Sequence, residues 1–425
     1  ASFDFKSGGL AGAPKFPMPV IWEFLLQNYY LTNNKEALEI VNTTLYEMAN
    51  GGIYDHLGGG FARYSTDNDW KVPHFEKMLY DNAQLVSLYA HAYQAVHTPL
   101  YEEVVTETLD FVKKEMMSSE GGFWASINAD SEGEEGKYYS WTKSEIQNLL
   151  DINKAGIFTA YYQVTDSGNW ENGKNILYVT RRKREFAAAN KMKEEDFVQI
   201  LNDAENELLK ARNKRVRPTT DTKILLSWNA LMLKGFIDAY FALGDPEYLQ
   251  VALTNARFLE KNMIRKDGKL WRNFNNGRAS IDAFLDDYAL LAKALIHLYQ
   301  ATFDIHWLET ARTVAEYAMI HFINEQSGMF YYTWNEAENL VARKMELADN
   351  VIPSSNAVMA EVMYILGQYY AEDSLIKRST AMLTQVTTEI KKGLPYYSNW
   401  ANLLGLVTYG PYEVGVMGNQ SFDKS

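Results

Sequence analysis

The sequence predicts an all-α protein built as an α/α barrel, an inner ring of helices inside an outer ring, with short β-hairpins between the helices. Two patterns predict it. First, a helical run, a turn and an aromatic strand recur four times, in VNTTLYEMANGGIY from Val41, FVKKEMMSSEGGFW from Phe111, FLEKNMIRKDGKLW from Phe258 and YAMIHFINEQSGMFYY from Tyr317. In the first three, a glycine (Gly51, Gly121, Gly268) lies ten residues after the apolar anchor and an aromatic (Tyr54, Trp124, Trp271) thirteen after it. The fourth carries one extra residue, giving Gly328 and Tyr331. Such a glycine is expected where a helix stops in a left-handed turn, and the alternation after it is that of a short strand. Self-similarity of this kind marks a repeat architecture.

Second, two kinds of helix alternate. DNAQLVSLYAHAYQAV from Asp81, WNALMLKGFIDAYFAL from Trp228, DYALLAKALIHLYQAT from Asp287 and NAVMAEVMYILGQYYA from Asn356 are apolar almost all round, as buried helices are. EYLQVALTNARFLEKN and HWLETARTVAEYAMIH are amphipathic. One buried and one half-exposed helix per repeat suits concentric rings; a linear helical solenoid is the competing arrangement. The stretch from about Asp151 to Thr222 reads as a further hairpin carrying a long loop, and residues 1–425 as one such domain.

Composition narrows the function. With 54 acidic against 41 basic residues, the net charge of -13 has the wrong sign for nucleic acid or an anionic membrane surface. The absence of Cys excludes a disulfide framework, a thiol nucleophile and thiolate metal sites. No run approaches the roughly 18 apolar residues that span a bilayer. The chain opens ASFDFKSGGL, without an initiator Met or an apolar signal segment, so the expectation is a soluble, cytoplasmic protein whose targeting sequence is absent or removed. Aromatic residues make up 14% of the chain, and such rings both pack cores and line sugar-binding clefts.

If the inner helices run the same way, their N-terminal ends converge on one face. Asp81-Asn82, Trp228-Asn229, Asp286-Asp287 and Ser355-Asn356 would then surround a common mouth, although each is also a plausible helix cap. The loop GGIYDHLGGGFARYSTDNDWKVPHFEKMLYDNA, residues 51 to 83, leads into the first of these ends. Its glycines allow tight turns or close backbone approach, and it brings Arg63, Tyr64, Trp70, His74, Glu76 and Lys77 ahead of Asp81. His74, near Glu76 and Lys77, suits a general acid or base oriented by a carboxylate, or a structural cap. His56 is a second candidate, with a local hydrogen-bonding role as the alternative. The other five histidines are set aside: His91 and His97 lie within or after a helix, His297 inside a buried helix pattern, and His306 and His321 in an outer helix region.

No His pair has metal-ligand spacing, so no metal and no cofactor is expected. Asn128 to Gly133 imitates the start of a calcium loop, but its twelfth position is Tyr139 in place of the ligating Glu. The loop NADSEGEEGKYYSW, with Asp130, remains a candidate substrate-facing segment. Arg217 and Asp221 precede the helix at Trp228, and Arg343 precedes the helix at Asn356; such an Arg can hold a carboxylate or a sugar hydroxyl. Trp70, Trp124 and Trp228 are candidate platforms for a sugar ring. There is no phosphate-binding loop, dinucleotide fingerprint or nucleophile elbow.

GAPKFPMP (12 to 19), the 51 to 83 block, NADSEGEEGKYYSWT (128 to 142), RPTTDTKILLSWNALM (217 to 232), FLDDYALL (284 to 291) and PSSNAVMA (353 to 360) resemble the YyaL and spermatogenesis-associated protein 20 family along essentially the whole chain. The resemblance implies an (α/α)6-type toroid of the six-hairpin glycosidase kind, similar to N-acylglucosamine 2-epimerases. It also implies a thioredoxin-like domain as partner in full-length relatives, absent before GAPKFPMP here, so the chain reads as a toroid trimmed at both ends.

Three functions follow. A sugar 2-epimerase or isomerase would move a proton at C2 with His74 and His56. A glycoside hydrolase would use two carboxylates, for which Asp81 and Asp287 are the best placed. A non-catalytic carbohydrate-binding or scaffold domain would use the tryptophans alone. The epimerase reading ranks first, with a small carbohydrate as partner.

Overall fold

A computed structural model describes residues 2–337 and 343–415. The helices in chain order are α1 (Pro19–Thr32), α2 (Lys35–Asn50), α3 (Leu79–Val96), α4 (Pro99–Phe111), α5 (Lys143–Leu149), α6 (Ile152–Tyr161), α7 (Lys183–Ala189), α8 (Glu194–Arg212), α9 (Leu226–Leu243), α10 (Pro246–Met263), α11 (Leu285–Thr302), α12 (Ile305–His321), α13 (Ser355–Tyr369), α14 (Asp373–Gly393) and α15 (Ser398–Tyr409). Six of them make the inner ring. α1 packs on α3, α3 on α9, α9 on α11, α11 on α13, α13 on α15, and α15 returns to α1. That last contact closes the ring and excludes the open solenoid. The outer helices α2, α4, α10, α12 and α14 each pack on the inner helix that precedes them.

Each inner helix turns into its outer partner through two or three residues, and the local chemistry explains the sharpness. The first residue of the turn, Asn33, His97, Gly244 or Phe303, is left-handed and stops the inner helix. The next residue starts the outer helix: Asn34, Asp245 and Asp304 each accept first-turn backbone N–H bonds on their side chains. Pro99 and Pro246 are preset for the first helical turn. The return connections, residues 51–78, 117–225, 264–284 and 322–354, are long and all lie at the N-terminal ends of inner helices. The ring therefore has a short-loop face and a long-loop face.

The repeated turn appears in all four places, as the isolated pairings Tyr54 with Phe61, Met117 with Phe123, Ile264 with Leu270 and Ile323 with Phe330. Its glycine works differently from the expectation. Gly121, Gly268 and Gly328 are left-handed but sit in the small turn, where their N–H groups bond Ser118, Arg265 and Asn324 carbonyls. Gly51 does cap its helix, in an extended conformation (φ -75°, ψ 169°). Small three-stranded sheets, Lys77–Met78 with Ser126–Ile127 and Thr220–Asp221, and Ile224–Leu225 with Trp271–Asn275 and Arg278–Asp282, tie neighbouring long loops together.

The glycines of the 51 to 60 stretch are close-approach residues. A Cβ on Gly52 would stand 2.0 Å from the Lys71 carbonyl oxygen, and one on left-handed Gly59 would stand 2.3 Å from that of Glu107 on α4. The segment from about 141 to 212 differs from the expected ring hairpin. α5 to α8 pack on one another around their own apolar cluster, including Trp141, Phe158, Phe186, Phe197 and Leu208. The charged helix α8 has a single apolar stripe, enough for this cluster and too narrow for an inner-ring position.

Candidate functional site

The first turns of the inner helices do gather at one end of the ring, and they close it. Asn82 accepts the Phe61 N–H (2.7 Å) and donates to the Phe61 carbonyl (3.1 Å). Asn229 does the same to Phe123 (2.8 and 3.0 Å), and Asn356 to Phe330 (2.8 and 2.9 Å). In α11 the equivalent residue is Tyr288, whose hydroxyl accepts the Leu270 N–H. In α3, α9 and α13 one buried asparagine thus satisfies both backbone groups of the repeated turn, while in α11 Tyr288 takes the N–H and the Ala283 N–H takes the carbonyl. Asn229 and Asn356, expected to bind substrate, are clamps with no polar group left over.

Asp286 and Asp287 are fully buried and share Arg272, at 3.0 and 2.8 Å. Asp287 also accepts the Ser227 and Phe284 N–H groups, while burial beside Asp286 pushes its carboxyl up to about 7. Asp81 is buried near Arg63 and Glu76, and one of its oxygens has no hydrogen-bond partner; burial raises its carboxyl well above the usual range. Half-buried Trp228 meets Tyr80 edge-on at 4.8 Å.

Below this floor lies a cavity of about 650 Å³ lined by all six inner helices. That is within the roughly 300–1,000 Å³ of small-molecule sites. Its wall residues near the N-terminal helix ends, among them Val20, Gln84 and Val358, are buried, whereas Tyr30 and Gln94, near the C-terminal ends of α1 and α3, are exposed. The cavity is therefore reached from the short-loop face.

Its polar groups converge on Asp238 of α9. Lys234 donates to Asp238 at 2.5 Å, and one Asp238 oxygen lies 3.6 Å from His91 Nε2 of α3 and 3.7 Å from His297 Nδ1 of α11. Glu23 of α1 holds His91 Nδ1 at 3.0 Å, and Lys293 pairs with Glu361 of α13 at 2.7 Å. Burial alone would discharge His91, but Glu23 and Asp238 reverse this and push it up to about 10. His297 goes the other way: burial and the Lys234 charge bring it down to about 3. Burial would raise Asp238, yet Lys234 and His91 hold it well below the ordinary carboxylate range. The result is one cationic and one neutral imidazole facing the same carboxylate, with 31% and 22% of their side chains accessible. Glu23, Asp238 and Glu361 balance Lys234, Lys293 and protonated His91, so the wall offers donors and acceptors without net charge.

The loop residues singled out in the sequence are not brought to this cavity. His74 lies between Glu135 (2.8 Å) and Glu76 (3.7 Å) and stacks on Tyr64. His56 hydrogen-bonds the Gly51 carbonyl, packs on Tyr54 and Tyr162, and is brought down to about 4 by burial. The two rings have no partner in common. Lys77 is buried on Asp55 and the Gly59 carbonyl, and Trp70 is a core residue whose indole N–H donates to Ser7, which removes it as a sugar platform. Arg63 pairs with Glu76, Arg217 with Glu115, and Asp221 with Lys223; Arg343 lies over Tyr331 and donates to the Thr333 carbonyl. Asp130 is exposed on a short strand paired with Glu134–Glu135, and Trp124 is half-buried.

His91 and His297, set aside in the sequence as helix-interior residues, are the ones that reach the cavity. A signal for them was present. Gln84, Ser87, His91 and Gln94, like Lys234 with Asp238 and Lys293 with His297, recur at three- and four-residue spacing within helices otherwise apolar all round. Polar residues on one stripe of a buried helix mark the lumen they line.

No family model matches the chain. Human spermatogenesis-associated protein 20 is 32% identical over 431 residues, covering 92% of this chain and 54% of that protein. The chain thus spans about half the length of the curated relatives it matches. Among solved structures, a D-mannose isomerase superposes with a TM-score of 0.56 at 12% identity, covering 90% of this chain and 78% of that one. An α-mannanase of glycoside hydrolase family 76 from Bacteroides thetaiotaomicron gives 0.50 at 12% identity, covering 92% and 85%. These likenesses agree with the α/α toroid of six inner and five outer helices among the described residues. By sequence, the chain is a relative of the spermatogenesis-associated protein 20 family.

Proposed function

We propose that the central cavity is the active site of a sugar isomerase or 2-epimerase. Neutral His297 takes the C2 proton of an open-chain sugar while cationic His91 donates to the C1 carbonyl oxygen, giving an enediol. Return of a proton to the opposite face of C2, with the C1 carbonyl restored, yields the epimer; return to C1 with the C2 carbonyl formed yields the ketose. The observation that carries this reading is the pair of imidazoles, from α3 and α11, within 3.7 Å of one Asp238 oxygen on the cavity wall, in surroundings that push their protonation in opposite directions, as acid and base require. The uncharged balance of the wall suits a neutral polyhydroxylated substrate. The fold shared with D-mannose isomerase adds an analogy of substrate class.

A glycosidase would need Asp81 with a second free carboxylate. Asp287 is engaged by two backbone N–H groups and Arg272, which favours the isomerase reading. The test is NMR of a panel of reducing sugars in heavy water. Deuterium is expected at C2 with the native protein, and about 10²–10⁴-fold slower with His297→Ala or His91→Ala. Absence of exchange across the panel, or exchange unaffected by both variants, overturns the reading.

A further inference from the structure

At the short-loop end of the inner ring, helices carry exposed aromatic side chains that the proton-transfer pair does not require. Tyr30 of α1 lines the cavity itself and is 66% exposed. Phe241 stands seven residues beyond Lys234 on α9, and Tyr409 seven beyond Asn402 on α15, so helical phase keeps both on the stripe that lines the lumen. Tyr369 stands eight beyond Glu361 on α13, and its hydroxyl accepts from Gln300, which is seven beyond Lys293 on α11. These three rings are 44%, 58% and 42% exposed. Four of the six inner helices thus present an exposed ring at the same level, just outside the charged zone, with amide groups of Gln94 and Gln300 between them.

We propose that this crown is a binding site for the second and third residues of an oligosaccharide whose reducing end enters the cavity. This rests on the isomerase reading. The argument is continuity and chemistry. Separate aromatic faces around a polar opening stack on the C–H faces of pyranose rings, and the amides meet the hydroxyls at their edges. A cavity of about 650 Å³ also has more room than one monosaccharide fills, and it opens directly onto the crown.

The experiment measures binding and C2 deuterium exchange on the full chain with malto-, cello-, manno- and chito-oligosaccharides of one to three residues. Affinity for at least one series is expected to rise about tenfold from one residue to three, which is about 1.4 kcal/mol. Phe241→Ala and Tyr409→Ala, both at exposed positions outside the cavity lining, are expected to abolish that rise and leave monosaccharide affinity unchanged. Length-independent binding in every series, or a length dependence indifferent to these variants, overturns the crown. The two readings fail separately: length-dependent binding without exchange keeps the crown and sinks the isomerase, whereas exchange without length dependence does the reverse.

Discussion

Asp238 carries more of the site than either histidine. Its carboxylate is almost fully buried and is tolerated because Lys234 and His91 compensate it; the same carboxylate, with Glu23, keeps His91 charged. That arrangement makes stability depend on pH in a direction that can be worked out. Below about 6.5 His91 carries its proton folded or unfolded, and the pairing contributes in full. Between 6.5 and about 10 the unfolded chain releases the proton while the folded one keeps it, so the contribution declines and is gone above the upper value. The stability difference between native protein and His91→Gln, taken from urea unfolding across pH 6 to 10.5, is therefore expected to shrink steadily as pH rises. A constant difference over that range would mean that His91 is not held as a cation.

At the level of elements, the repeat in the sequence and the repeat in the structure are joined by one residue per helix. Removing the Asn229 side chain leaves the Phe123 N–H and carbonyl unpaired inside the protein. Asn229→Ala is expected to cost about 2–4 kcal/mol by urea unfolding, given roughly 1–3 kcal/mol for each buried group left unsatisfied. A cost below 1 kcal/mol would show that Asn229 does not clamp the turn. This device also explains what was legible. Helix type, repeat period and the gathering of first turns at one end follow from apolar spacing and turn residues, which are local properties. The role of those first turns was misread, because a polar residue at a helix start looks the same whether it faces a substrate or a buried turn twenty to a hundred residues away. His91 and His297 escaped for the complementary reason. Which stripe of an all-round apolar helix faces a lumen is fixed by ring closure, which no single helix records.

Ring closure is the property of the whole molecule on which the cavity depends, and it separates this architecture from a solenoid of the same hairpins. In an open stack each hairpin senses only its neighbours, so damage to the last helix stays local. Here α15 is packed against both α13 and α1, the helices near the two ends of the chain. Trp400 is fully buried on α15, and its indole N–H donates to the Leu347 carbonyl. Trp400→Ala is expected to destabilise the protein by about 3–5 kcal/mol, as large-to-small core substitutions do. The informative readout is where protection from hydrogen exchange is lost. In a closed ring the loosened α15 withdraws one wall of α1, so exchange in α1 should accelerate together with that in α13 and α14, although some 370 residues of sequence separate α1 from the substitution. Acceleration confined to α13 and α14 would mean that the α15–α1 seam contributes little stability. The lumen would then be an open groove in solution, and Glu23 of α1 would no longer be held against His91, whose orientation acid–base chemistry at one carbon requires.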